Sequence, residues 1–429
     1  MTASYDCIVI GGGPAGMMAA AQAAACGAQV LLCEKNRLPG RKLAITGKGR
    51  CNVTNDCPTA ELLKHVTGGH KFLYSAFSRF SSQDTIQFFE SLGVPLKTER
   101  GNRVFPVSDR AMDVVMAMRH NLSELGVCVV QERAARLAAR LSVQGGVIQG
   151  VCTDHRAYPC AAVIVATGGL SYPATGSTGD GYTFAEACGH HITALRPSLV
   201  GLDCPDPLCP ACAGLTLKNV RVRLLADGRL TESDFGELLF THTGVSGPVI
   251  LSASAHMRDP DACYTLEIDL KPALDAEMLD RRILRDFAER RNRTVKNALE
   301  ALLPAVLRVP LLEKAGIPTD TPVHAVTKAQ RSALCSVIKS LSLSPLALGG
   351  FDSAVVTAGG VCLDEVDPKT MASKCVHGLF FAGEVLDLDA YTGGFNLQIA
   401  FSTGYAAGNA AAAYAQMNST KEMAGFFCD

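Results

Sequence analysis

A chain of 429 residues can hold two or three domains with real hydrophobic cores. Its 48% hydrophobic and 19% charged residues form a globular composition, which excludes a disordered or fibrous chain. A formal net charge of −1 gives no global field for nucleic acid or an anionic membrane, and seventeen scattered cysteines suit reduced thiols better than a disulfide scaffold.

Residues 7–33 carry no charge, but Gly11, Gly12, Gly13 and Pro14 interrupt the run and oppose a membrane span. The segment reads as a βαβ unit. "YDCIVI" predicts a buried strand, "GGGPAG" a turn that opens a helix, "MMAAAQAAACG" an alanine-rich helix ending at Gly27, and "AQVLLCE" a second strand ending in Glu34. Gly11, Gly13 and Gly16, with Pro14 and Ala15 between them, supply a tight turn, close approach to a pyrophosphate, and helix–strand packing. The new helix turns its free N–H groups to the phosphates. Glu34 accepts from ribose hydroxyls and disfavours a 2′-phosphate, so the site selects FAD or NAD over NADP.

"GRKLAITGKGRCNVTN" follows at residues 40–55, with four cations (Arg41, Lys42, Lys48, Arg50) and no acid. It fails the P-loop pattern, because Gly49 rather than Ser or Thr follows Lys48. A lone NAD site has no use for a second cationic glycine loop here. FAD does, because such a loop meets its second phosphate, ribityl chain or ring. The same cations also suit an anionic substrate.

Further along, "GVCVVQERAARL" predicts a strand whose backbone passes beside adenine. "AAVIVATGGLSYPATGSTGDG" predicts a buried strand ending in Thr167, Gly168 and Gly169, then a glycine turn and a helix. "HGLFFAGEVLD" predicts a strand ending in Gly383 and Glu384. "TGGFNLQIAFSTGYAAGNAAAAY" predicts a long helix starting near Gly394. Glycine-bearing strand ends at both ends of the chain flank a segment of different character. "VRVRLL" and "DACYTLEIDL" alternate there as strands do, and residues 274–316 are helical and charged. The expected organisation is an α/β, Rossmann-like nucleotide domain in two parts around an insertion of about 150 residues.

Seven separated motifs, "IGGGPAG", "KLAITGKGRCNVTN", "ATGGLSYPATGSTGDGY", "LLFTHTGVSGP", "VTAGGV", "LFFAGEVLD" and "TGGFNLQIAFSTG", occur in order. Together they resemble one bacterial flavoprotein family, which includes the bile-acid dehydroxylation flavoprotein reductases and aminoacetone oxidase. The resemblance runs from residue 5 to about 410. It implies a glutathione-reductase-like FAD domain in two parts, 1–192 and 350–429, whose insert, 193–349, comprises a β-barrel-like part and a small helical part and shapes the substrate pocket. It implies that Gly11, Gly13, Gly16 and Glu34 hold the ADP half of FAD, with Lys35 beside the ribose. Arg41 and Lys42 would lie along the pyrophosphate and ribityl chain, and Gly49, Arg50, Cys51 and Asn52 near the ring. Thr167, Gly168, Gly383 and Glu384 would meet pyrophosphate and ribitol. Gly394, Phe395, Asn396 and Leu397 would open a helix onto the flavin, whose reduced form a helix N-terminus stabilises.

FAD transfers the electrons. With one full dinucleotide fingerprint, NADH or NADPH as donor must visit the open flavin face transiently, and another donor is the alternative. The resemblance implies a reductase that gives hydride to an enone-type C=C of a steroid or bile-acid-like small molecule. Tyr172, Tyr391 and His242 are the candidate proton donors. An amine oxidase of the aminoacetone type and a flavin-bearing redox sensor are the alternatives. An RNA-modifying flavoprotein is disfavoured by the balanced charge. Cys209 and Cys212, with Cys204 nearby, have metal or redox spacing, but no second pair completes a zinc site, and no metal is expected. With no basic leader before Asp6, a cytoplasmic protein without membrane insertion is expected.

Overall fold

A computed structural model describes residues 5–140 and 146–425. The chain divides into two compact units, residues 1–198 with 354–429, and residues 199–353. These limits lie a few residues beyond the expected 192 and 349. The first limit moves because Arg196–Ser198 pairs antiparallel with Val356–Ala358 and so stays with the first unit.

The first unit is built on a five-stranded sheet in the order Leu379–Phe381, Ala162–Val165, Cys7–Ile10, Val30–Cys33, Cys128–Val130. Every neighbouring pair is parallel. The two strands of the opening unit and the strand Ala162–Val165 are buried along their whole length, as parallel strands covered on both faces are. The helix Pro14–Ala25 makes the first crossover. It starts tight against the turn, because a Cβ at Gly16 would stand 1.9 Å from the Gly11 carbonyl oxygen.

The long helix Phe395–Gly425 packs along that first helix. Small residues set the distance. A Cβ at Gly404 or Gly408 would come within 2.4 Å of the backbone oxygen of Ala15 or Ala19, respectively. A second, three-stranded antiparallel sheet joins Thr54–Asn55, Arg103–Pro106 and Leu96–Glu99, and carries part of the site.

The second unit has a seven-stranded antiparallel sheet in the order Leu341–Leu343, Tyr264–Asp269, Thr216–Ala226, Arg229–Phe240, Gly244–Ser246, Leu202–Asp203, Ala347–Leu348. The helical segment expected at 274–316 is three α-helices, Ala276–Glu289, Val295–Ala298 and Ala305–Lys314. The turn at 290–294 interrupts it. A further helix, Lys328–Lys339, escaped the sequence reading, although Thr327 and Gln330 form a capping box at its start. Leu224, Leu266 and Ile268 of the sheet share a core with Ile283, Leu311 and Ile338 of the helices. Among the described residues no helix is long and apolar enough to cross a membrane.

The close approach of the two helices gives a test. Gly408→Val forces the helices apart and is expected to cost about 1–3 kcal/mol, as overpacking does. Thermal denaturation should show a clear fall in Tm, and an unchanged Tm would contradict the close approach.

Candidate cofactor site

A cavity of about 920 Å³ opens at the carboxyl ends of the parallel strands, where open α/β sheets bind ligands. Gly11, Glu34, Ala166 and Ala382, each directly after a strand, line it. Every lining residue belongs to the first unit.

At one end Glu34 is 7% exposed. One carboxylate oxygen accepts from the Gly12 amide at 2.7 Å. The other accepts from the Asn36 amide at 2.7 Å and the Asn36 side chain at 2.8 Å. The turn and the end of the second strand are thereby held in one geometry. Beside them Lys35 and Arg133 each stand 2.9 Å from Asp180. Burial pushes the Asp180 carboxyl up, but the bonds from Lys35 and Arg133 outweigh it and hold it below the usual carboxylate range. Glu132, which also lines the cavity, accepts from Thr153 and Tyr158.

In the middle, four distant segments meet at Glu384. Its carboxylate accepts from Lys42 at 2.8 Å, from the Ser171 hydroxyl at 2.6 Å and from the Thr357 amide at 3.0 Å. Thr357 Oγ1 in turn accepts from the amides of Leu170 and Ser171. Burial pushes the Glu384 carboxyl up. The Lys42 ammonium, with the Ser171 and Thr357 donors, outweighs burial and holds it below the usual range.

At the other end Arg50 donates to Glu99 and Asp109, and its guanidinium lies 4.1 Å from the centre of the Phe105 ring. Strand pairing places Arg103 opposite Asn55, so the loop 43–53 and the strand Arg103–Pro106 face the cavity together.

Among the described residues four buried side-chain atoms have no partner: Asn52 Oδ1, Thr167 Oγ1, Tyr182 Oη and Arg196 Nε. The first two belong to residues that line this cavity. Unpartnered buried polar atoms are costly unless a ligand meets them. A cavity with a phosphate-type glycine turn, a ribose-type acid, an unpartnered Thr167 hydroxyl beside that turn and an unpartnered Asn52 oxygen on the cationic loop fits FAD.

Most sequence-predicted residues line the cavity: Gly11, Gly13, Pro14, Ala15, Glu34, Lys35, Arg41, Lys42, Arg50, Asn52, Thr167, Gly168, Glu384, Gly394, Asn396 and Leu397. Others stand behind the lining for identifiable reasons. Gly16 packs on the turn, Gly383 donates its amide to Thr403, and Phe395 stacks on His65 at 4.2 Å. Gly49 is exposed and open around its Cα. Cys51 is buried, and burial pushes its thiol up to about 12, which makes it a packing residue rather than a thiolate. Of the proton-donor candidates only Tyr172 lines the cavity. Tyr391 packs its ring against His65, outside the lining, and His242 is an exposed residue of the second unit. Ser171 and Thr357, which complete the Glu384 hub, escaped the sequence reading, although each lay within a recognised motif.

Cys204, Cys209 and Cys212 are buried, and burial pushes the Cys209 and Cys212 thiols up. The metal-type group among the described residues lies elsewhere, at His190, Glu365 and Cys375. Ser373 Oγ accepts from the Cys375 and Val376 amides, so its own proton goes to His190 Nε2. His190 Nδ1–H then faces Glu365 at 3.2 Å, and the group closes as a hydrogen-bond network.

The sheet, the glycine turn and the acid after the second strand define a Rossmann-type FAD-binding flavoprotein. The family described as HI0933-like protein Rossmann domain matches residues 5–410, and the chain belongs to it. It is an FAD-dependent oxidoreductase. It is similar to the 3-dehydro-bile acid delta(4,6)-reductase of Clostridium scindens, 32% identical over 94% of this chain and 98% of that one. It is similar to the ribosomal RNA dihydrouridine synthase of Escherichia coli, 30% identical over 94% of this chain and 96% of that one. Its fold is also that of the 3-ketosteroid delta1-dehydrogenase of Sterolibacterium denitrificans, with a TM-score of 0.53, 14% identity, and coverage of 96% of this chain and 100% of that one.

The Glu384 hub gives a pH prediction. A carboxyl held low in the folded state adds stability at neutral pH, which is lost as pH falls through its folded pKa. In Lys42→Met burial remains while the cation is gone, so the Glu384 pKa rises. The variant therefore loses the stability that Glu384 adds at neutral pH, and its Tm deficit against the parent protein is expected to be largest near neutrality and to narrow as pH falls through the acid range. Melting curves across that range should show the two proteins converging toward acid, and a deficit that stays constant or grows would contradict it.

Proposed function

We propose that this protein reduces a C=C bond conjugated with a carbonyl, in a steroid or bile-acid-like small molecule, with NADH or NADPH as transient electron donor. The observation that carries this reading is the similarity to the bile acid delta(4,6)-reductase over nearly the whole of both chains. When bound, FAD supplies the hydride, which goes to the carbon β to the carbonyl. The chain's own residues do the rest. Glu34 and the turn 11–16 hold the adenosine and phosphate half. Lys42, fixed by Glu384, holds a positive charge at the middle of the cavity. Asn52 and the helix start at Asn396 and Leu397 orient the reacting end. Tyr172 delivers the proton to the α-carbon.

A second reading has its own support. The similarity to ribosomal RNA dihydrouridine synthase is almost as great. The C5=C6 bond of uracil is conjugated with its C4 carbonyl, so the same two-step addition saturates it. The bond chemistry is common to both readings, and the carrier of the bond differs.

The test is anaerobic reoxidation of the reduced holoenzyme. A 3-oxo-Δ4 bile acid is expected to reoxidise the flavin faster than air does, with a saturated product. Fast reoxidation by air with no response to the enone would overturn the reductase reading. Formation of dihydrouridine in ribosomal RNA, with no response to the enone, would replace the steroid reading with the second. Tyr172→Phe is expected to lower kcat by about 10²–10⁴-fold while the FAD content stays unchanged. A full-rate variant would remove Tyr172 from this role.

A further inference from the structure

The cations that line the cavity are not equivalent. Lys35 and Arg133 share Asp180, Lys42 is paired with Glu384, and Arg50 is held by Glu99 and Asp109. Arg41 donates to Asn36, which itself binds Glu34, so it sits at the Glu34 end. Lys48 and Arg103 remain. Both line the cavity, both are exposed, and among the described residues neither is paired with an acid.

Their placement is built. Gly47 and Lys48 both adopt the left-handed conformation, Lys48 with φ 58°, a costly geometry for a residue with a side chain. Bonds from the Arg50 amide to the Gly47 oxygen and from the Cys51 amide to the Thr46 oxygen close this turn. A Cβ at Gly47 would lie 3.5 Å from the Phe105 ring, so the turn rests on that ring. The Arg103 guanidinium is 5.8 Å from the same ring centre, and its Nε donates to the Arg100 carbonyl. Arg50 is nearer to the ring, but two acids absorb its charge and spare Arg103 the repulsion. Lys48 and Arg103 are therefore two positive charges without an acid partner, on separate elements, both lining the cavity where the turn and the strand flank Phe105.

We propose that Lys48 and Arg103 form an anion-receiving subsite for an oxyanion carried by the substrate at a distance from the reacting C=C bond. A bile-acid side-chain carboxylate and a nucleic-acid phosphate share this chemistry. The inference rests on the cavity being where substrate meets cofactor. It says which substrates the pocket prefers, and it gives a use to two cations at the Phe105 end that no acid neutralises, in contrast to Lys35, Lys42, Arg50 and Arg133.

The test uses the FAD-loaded full-length protein and reads binding from the flavin absorbance change. The probes are 3-oxo-4-cholenoic acid, its methyl ester and a short uridine-containing oligoribonucleotide. The free acid is expected to bind more tightly than the ester. Lys48→Ala and Arg103→Ala should each weaken the acid by about threefold to tenfold, leave the ester unchanged, and reduce the salt dependence. Equal binding of acid and ester, with tight oligoribonucleotide binding that both variants weaken, would support the subsite with phosphate as its anion and would count against the steroid reading alone. If neither variant distinguishes a charged probe from the ester, or no charged probe binds better than the ester, the subsite is overturned.

Discussion

The first unit depends on the charge pair between Lys42 and Glu384. The two residues come from opposite ends of the chain, and Ser171 and Thr357 complete the contact. An acid in this position is expensive to bury, and a cation beside it repays that cost only when further donors satisfy the carboxylate. Here an ammonium, a hydroxyl and an amide all do so. The result ties the cationic loop, the strand end at 167–171, the strand Val356–Ala358 and the strand end at 383–384 into one wall of the cavity. A binding wall built from four remote segments forms only when the whole unit is folded.

The rest of the cavity follows the same logic of charges assigned in pairs. Asp180 takes Lys35 and Arg133 near the ribose-type acid Glu34, and Glu99 with Asp109 takes Arg50 near Phe105. Loop cations that read from sequence as one basic stretch are thereby divided into those that shape the protein and those left to meet a ligand. Balanced overall charge and a locally positive pocket end are compatible, because the balance is struck residue by residue.

Much of the fold was legible in the sequence because its signals are local. A charge-free strand, a glycine turn, an alanine-rich helix and an acid after the next strand are contiguous, so the opening βαβ unit could be read directly. Much of the cationic stretch lines the cavity. What escaped was set by contacts across the chain. No local pattern joins Lys42 to Glu384, and none says that Arg50 is neutralised by acids from 99 and 109. Glycine motifs also mix two duties. Gly13 and Gly394 line the cavity, while Gly16 and Gly383 serve close packing behind it. Cys51 sits within the right motif, but its side chain turns into the core. The first domain limit shifted because the pairing of Arg196–Ser198 with Val356–Ala358 is a tertiary fact.

The central claim is that this wall of paired charges, with the glycine turn, cradles one FAD. The most direct measurement is the flavin released by denaturing the purified full-length protein, quantified against chain concentration after incubation with FAD and removal of the excess. The expected result is about one FAD per chain, bound without a covalent link and retained through gel filtration. A folded chain that retains no FAD after this treatment would contradict the account.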